Sequence, residues 1–150
     1  ILVEGQSAIS HPAFLSSIGI LKGSMPDGVI LQHPPARRFR CDFPTLGMPT
    51  PESEIKLIET ISKTKVIAIT LSHEGLNEHE ILEIIEDYEL HLRLPTTDVL
   101  NIGCKKLVQA LSDQFPTLRN KIKPENLTIF STHLGHNLNY LEGIDEIINT

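Results

Sequence analysis

The sequence predicts an α/β fold, a mainly parallel sheet flanked by helices. Three observations carry this. Short apolar runs recur along the chain, the strongest being Lys65-Val66-Ile67-Ala68-Ile69-Thr70-Leu71-Ser72, rich in β-branched residues. Helical patterns stand between these runs, which is the signature of βαβ units. The runs themselves lack polar alternation, as strands covered on both faces do.

Each element has its own signal. Ile1-Leu2-Val3 is a short apolar run closed by Glu4-Gly5-Gln6, and it reads as a strand from the interior of a longer chain. Pro12 to Lys22 places Phe14, Leu15, Ile18 and Leu21 at helical spacing, with Gly23 as the stop. Gly28-Val29-Ile30-Leu31-Gln32-His33 is the second strand, closed by Pro34-Pro35. Residues 34–50 then form a long loop with Pro44, Pro49, Arg37, Arg38 and Arg40, too long for an idle connector. Thr50-Pro51-Glu52 opens a helix with a capping hydroxyl and Pro at the first helical position; Ile55, Ile58 and Ile61 continue it. After the Lys65–Ser72 strand, Asn77-Glu78-His79-Glu80 opens a helix as a capping-box analogue. Ile81, Ile84, Ile85, Tyr88 and Leu92 make its apolar stripe. Asp98-Val99-Leu100-Asn101-Ile102 is expected to be the last strand, ending at Gly103, with a helix after it that turns Leu107, Val108 and Leu111 inward. Residues 1–112 form the α/β domain. Residues 113–150 form an appendage with a strand at Leu127–Phe130 and a helix at Asn137–Ile148.

Composition narrows the function. The chain has 150 residues, 40% hydrophobic and 21% charged, which suits one globular domain. No apolar run nears the roughly 18 residues of a membrane span. Cys41 and Cys104 build no disulfide framework, so reduced thiols and a cytoplasmic setting are expected. A net charge of -6 and 5% aromatic residues argue against nucleic-acid binding. Neither G-x-x-x-x-G-K-[ST] nor G-x-G-x-x-G occurs.

Candidate chemistry gathers at the strand ends, because open α/β sheets bind ligands beyond the carboxyl ends of their strands. Glu4 ends the first strand, and a carboxylate there suits Mg²⁺; Gly5 lets backbone come close to a ligand. His11-Pro12 stands at a helix start, where anions are favoured. His33 ends the second strand on the same edge as Glu4, so both histidines are candidate acids or bases. Ser72-His73 repeats the pattern more weakly. Arg37, Arg38 and Arg40 offer bidentate forks for phosphate or carboxylate. Each residue also has a plain structural reading, as a strand-end polar group, an unused histidine or a solvated loop charge.

The run Val3-Glu4-Gly5-Gln6-Ser7, then His11-Pro12, Gly23-Ser24-Met25-Pro26-Asp27 and Val29-Ile30-Leu31-Gln32-His33, resembles the C-terminal P-loop domain of a formerly uncharacterised family now called D-glutamate N-acetyltransferase-like. Leu94-Pro95-Thr96-Thr97-Asp98, with Gly103 and Leu107, is similar to that family's last strand and helix. The resemblance covers about residues 1–112. The Val-Glu-Gly strand end is also similar to dethiobiotin synthetase. The resemblance implies a P-loop NTPase-like fold whose phosphate loop lies upstream of these residues. It implies ATP or a related nucleotide with Mg, Glu4 as metal ligand, and Gln6, Ser7, Arg37 and Arg38 around the cofactor. Acetyl-CoA is a further implied cofactor, His11 and His33 are the catalytic candidates, and the substrate is an amino acid or other small carboxylate. A homo-oligomer is expected, with no nucleic-acid or membrane partner.

Two other readings stay open. One is a binding or assembly module that associates through Leu138, Leu141, Ile144 and Ile148. The other is a metal-dependent hydrolase built on Glu4, His11 and His33.

Overall fold

The computed structural model describes residues 1–118, and the appendage strand and helix expected beyond them lie outside the described residues. The elements run α1 (Ser16–Ser24), β1 (Val29–His33), β2 (Phe39–Arg40), β3 (Phe43–Gly47), α2 (Pro51–Ser62), β4 (Val66–Leu71), α3 (Glu78–Leu92), β5 (Thr96–Thr97) and α4 (Lys105–Gln114), then a 3-10 turn at Pro116–Leu118. β1, β4 and β5 form a parallel sheet in the order β1-β4-β5. Leu31 lies opposite Ile69 and His33 opposite Leu71, while Ile69 and Thr70 face Thr96 and Thr97. The expected α/β architecture is therefore present: a parallel sheet with helices packed on it.

The most β-branched run became the central strand, for a physical reason. A central strand is covered on both edges and both faces, so an unbroken apolar run is stable only there. Ala68 and Ile69 are fully buried. Ile69 and Leu71 pack with Ile81 and Ile85 of α3, and Val66 packs with Leu21 of α1 and Ile58 of α2. β1 is different. Ile30 and Gln32 are exposed among the described residues, so this strand is covered on one side only.

Two helices begin where their caps require. The Thr50 hydroxyl accepts from the Ser53 N–H, and Pro51 fills the first helical position. Asn77 accepts from Glu80 N–H at 3.0 Å, and the Glu80 carboxylate accepts from Asn77 N–H at 2.8 Å, a complete capping box. Asn77→Ala is expected to destabilise the fold by ~1 kcal/mol in urea unfolding. A loss below the error of the measurement would show that the first turn of α3 is held by packing instead.

Four expectations are corrected. Ile1-Leu2-Val3 forms no strand; it is exposed, and no described strand offers it a ladder. The first helix starts at Ser16 rather than Pro12 and passes Gly23 to end at Ser24, where the capping residue Met25 takes the left-handed conformation itself (φ 45). Residues 8–14 turn instead, fastened by the His11 ring. The 34–50 segment is not simply a loop, since Phe39–Arg40 and Phe43–Gly47 pair as a small antiparallel hairpin. Finally, the last strand is Thr96–Thr97, not 98–102. The Asp98 carboxylate accepts from the N–H groups of Leu100 and Asn101 and folds those residues into a turn. The helix after Gly103 forms as expected; Leu107, Val108 and Leu111 are half-buried, while Ala110 and Ser112 go deepest. It runs to Gln114, across the boundary expected at 112.

Candidate functional site

The carboxyl ends of the three parallel strands carry His33, His73 and Asp98. β4 ends at Leu71, and two residues later comes His73; β5 ends at Thr97, and the next residue is Asp98. Because β4 and β5 are adjacent and parallel, both side chains leave the sheet at one edge. His73 Nδ1–H donates to Asp98 Oδ2 at 2.8 Å. The Asp98 side chain is 1% exposed and that of His73 is 38% exposed. The imidazole is thus bonded through Nδ1 to a buried carboxyl group, in a side chain that is itself partly exposed.

Asp98 is held firmly. Its Oδ1 accepts from Leu100 N–H at 2.9 Å and Asn101 N–H at 3.2 Å, and its Oδ2 also accepts from Asn101 Nδ2 at 3.0 Å. Its carbonyl accepts from Ile102 and Gly103 N–H groups. Gly103 sits at φ 108, a conformation open to glycine and strained for other residues. Thr97 Oγ1 donates to the Gly103 carbonyl at 2.9 Å and closes the turn. These bonds satisfy the oxygens of a buried carboxyl group and place Oδ2 against His73.

His33 lies on the same edge and is buried. Its Nε2–H donates to the Pro49 carbonyl at 3.2 Å, and Tyr88 Oη donates to its Nδ1 at 2.9 Å. Both ring nitrogens are occupied by protein. Burial holds this imidazole below its ordinary pKa of 6.5, against the opposite pull of the Pro49 carbonyl, Glu52 and Glu54. Burial, with the charges of Glu52 and Asp87, pushes the Tyr88 phenol up to about 12, so it stays a donor. The sign of the pH effect follows. The unfolded chain takes a proton on His33 near pH ~6.5, while the folded chain takes it only lower. The unfolded state then binds more protons, so stability falls as pH drops through ~6.5. The urea midpoint is expected to be lower at pH 5.5 than at 7.5, and His33→Gln is expected to shrink that difference. An unchanged difference would sink the assignment.

His11 takes a structural position. It is 3% exposed, its Nε2–H donates to the Cys41 carbonyl at 3.0 Å, and its Nδ1 accepts from Ala13 N–H at 3.2 Å. Its ring packs on Phe14 and Phe43. It ties the segment before α1 to the hairpin and does not stand at a helix N-terminus, since α1 begins five residues later. Arg37 pairs with Glu74 on the surface, and the Arg38 guanidinium lies 6.0 Å from the Phe39 ring. Neither meets His33 or His73 in a hydrogen bond. Arg40 turns inward, Nη2 donating to Ser10 Oγ at 2.9 Å.

Glu4, Gln6 and Ser7 are exposed. The Gln6 and Ser7 carbonyls accept from the buried Ser17 hydroxyl, which fastens the segment to α1. A nucleotide-bound Mg²⁺ needs a near-octahedral set of oxygens. Glu4 supplies one carboxylate from an exposed segment, and among the described residues no three His, Cys, Asp or Glu converge on a point. Glu4 is the carboxylate these residues would offer to such an ion, whose other oxygens come from phosphate and water.

In the sequence His73 stands out less than His33 and His11, and Asp98 reads as the first residue of a strand. A usable signal was present. Asp followed at short range by Asn101 and Gly103 is a turn pattern, and it would have ended the strand at Thr97.

Residues 1–108 match the model of a family described as the domain of unknown function DUF1611_C, a P-loop domain. The chain is 27% identical over 117 residues to a D-glutamate N-acetyltransferase of Tritonibacter scottomollicae. It is 28% identical over 116 residues to a D-glutamate N-acetyltransferase of a Pseudoalteromonas species. These alignments cover 74% and 73% of this chain and 35% of each relative, so the chain spans about a third of their length. A crystal structure of a DUF1611 family protein from Anabaena variabilis superposes with a TM-score of 0.68 at 26% identity, over 73% of this chain and 34% of that one. No helix among the described residues is long and apolar enough to cross a membrane. The match to most of the described residues, with the same fold in a solved relative, agrees with the motif resemblance: the chain belongs to the DUF1611 family through its P-loop domain.

Proposed function

We propose that this chain is part of an enzyme that moves an acyl group from a thioester to the amino group of an amino acid, with acetyl-CoA and D-glutamate as the first pair to test. The observation that carries the reading is the His73–Asp98 pair at the carboxyl edge of the sheet, 2.8 Å apart, its carboxyl group buried and its imidazole partly exposed. The names of the relatives support the choice of donor and acceptor.

The chemistry follows from the pair. An amino group attacks a thioester carbonyl only as the free amine, and it must shed a proton as the C–N bond forms. His73 Nε2 takes that proton. Asp98 holds the tautomer with hydrogen on Nδ1 and stabilises the imidazolium that results. The C–S bond then breaks, and the proton passes from Nε2 to the departing thiolate. One amide and one free thiol are formed, with no oxidant and no net proton change from the free amine. His73 thus does what the sequence reading assigned to His11 and His33, whose ring nitrogens are engaged by protein.

The test is thiol release from acetyl-CoA by the protein as expressed from its full gene. Release is expected only with D-glutamate present, with N-acetylglutamate found by mass spectrometry. Absence of amino-acid-dependent thiol release with either glutamate enantiomer would overturn the proposal.

A further inference from the structure

The turn after β5 holds more hydrogen bonds than it needs to close. Asp98 Oδ1 accepts from the Leu100 and Asn101 N–H groups, and the Asp98 carbonyl accepts from the Ile102 and Gly103 N–H groups. Thr97 Oγ1 donates to the Gly103 carbonyl. None of these bonds uses the Asn101 side chain. Yet the Asn101 amide, on an exposed residue, reaches in to the Asp98 side chain, which is 1% exposed. Its Nδ2 donates to Oδ2 at 3.0 Å. That is the same oxygen that bonds His73 Nδ1 at 2.8 Å.

A carboxyl oxygen offers two lone-pair positions. On Oδ2 one meets His73 and the other meets Asn101. With both filled, water does not compete with Nδ1 for this oxygen. Backbone N–H groups hold Oδ1 and Asn101 holds Oδ2, so the carboxyl plane is fixed at both ends. The lone pair left for the imidazole then has one direction. The bond made at one ring nitrogen sets where the hydrogen sits on the ring. A neutral imidazole left to water carries its hydrogen mainly on Nε2, so an acceptor fixed at Nδ1 is what reverses that preference.

We infer that Asn101 is a positioning residue for the His73–Asp98 pair: through Oδ2 it holds His73 with hydrogen on Nδ1 and the lone pair on Nε2. Asn101 acts through Asp98 and takes no part in proton transfer. The positioning follows from the pair itself; its effect on rate rests on the acyl-transfer reading.

Nitrogen NMR of the histidine rings tests it in the whole protein, without substrate and at alkaline pH, where the rings are neutral. His73→Gln identifies the His73 signals. The parent is expected to carry the His73 hydrogen mainly on Nδ1. Asn101→Ala is expected to raise the ratio of the Nε2–H form to the Nδ1–H form by roughly fivefold, the worth of one hydrogen bond. Asn101→Leu keeps the size, loses the donor and is expected to do the same. A parent ring with hydrogen mainly on Nε2, or unchanged ring signals in the folded variants, would overturn the inference. If one variant does not fold, the other decides, together with the parent signal. In the thiol-release assay both variants are expected to lower kcat by roughly fivefold with KM little changed. Shifted ring signals with unchanged kcat would overturn His73 as the base and leave the positioning intact. Unchanged ring signals with thiol release present in the parent would overturn the positioning alone.

Discussion

His73→Gln is expected to lower amino-acid-dependent thiol release by ~10²–10⁴-fold, the usual contribution of a positioned general base. Gln fills similar space and still offers a hydrogen bond to Asp98, but it cannot accept the proton of the attacking amine. Asp98→Asn is expected to be comparably damaging for another reason. Its amide nitrogen can donate to Nδ1, which favours the tautomer with hydrogen on Nε2 and removes the base from the substrate side. The two effects should not add. Once His73 is gone, Asp98 has no imidazole to orient, so the double variant should resemble the worse single one. The readouts are kcat and KM, with circular dichroism to show that each variant is folded. Loss in kcat with KM little changed is expected, since the pair acts on the proton and not on substrate binding. If His73→Gln kept activity within about threefold in a folded protein, His73 would not be the base.

Ile69→Ala is expected to be among the most damaging single changes to the fold, costing ~2–5 kcal/mol. Ile69 is fully buried at the centre of the sheet and packs with Leu71, Ile81 and Ile85. Its backbone is paired on both sides, with Leu31 across β1 and Thr96 across β5. The strands on either side hold their spacing, so the lost side chain leaves a cavity that cannot readily collapse. Leu90→Ala provides the contrast. Leu90 is 73% exposed on α3, and its truncation should change stability by no more than about 0.5 kcal/mol. Both changes would be read as urea midpoints with the slopes compared. Equal shifts for the two variants would contradict the central position of β4. The Ile69→Ala protein should also lose activity on heating before the parent does, because β4 carries His73 two residues beyond its end.

Where side chains speak about their own backbone, the sequence was readable. Thr50 before Pro51, and Asn77 three residues before Glu80, set two helix starts, because a cap is a bond between near neighbours. The Val66–Leu71 run reads as the strongest strand, because an unbroken β-branched apolar stretch suits a strand buried on both faces. The errors share a different cause. Ile1-Leu2-Val3 has the composition of a strand, yet a strand needs a partner, and the described residues supply none. Asp98-Val99-Leu100 has apolar residues in a row, but the Asp98 carboxylate accepts from the Leu100 and Asn101 N–H groups and folds them into a turn in place of a ladder.

The sequence by itself determined the α/β class, the parallel sheet, its strongest strand, two helix caps and the family, since these follow from local bonding, periodicity and motif order. It also placed histidines at the ends of strands. Only the tertiary structure decided which of them have both ring nitrogens engaged by protein. His11, His33 and His73 look alike as residues, and their chemistry depends on what meets the two ring nitrogens. For His11 and His33 those partners are backbone carbonyls, a backbone N–H and a phenol, which use up both ends of the ring. For His73 the partner is a buried carboxylate at one end. That partner lies 25 residues away in the chain and becomes a neighbour only because β4 and β5 run side by side.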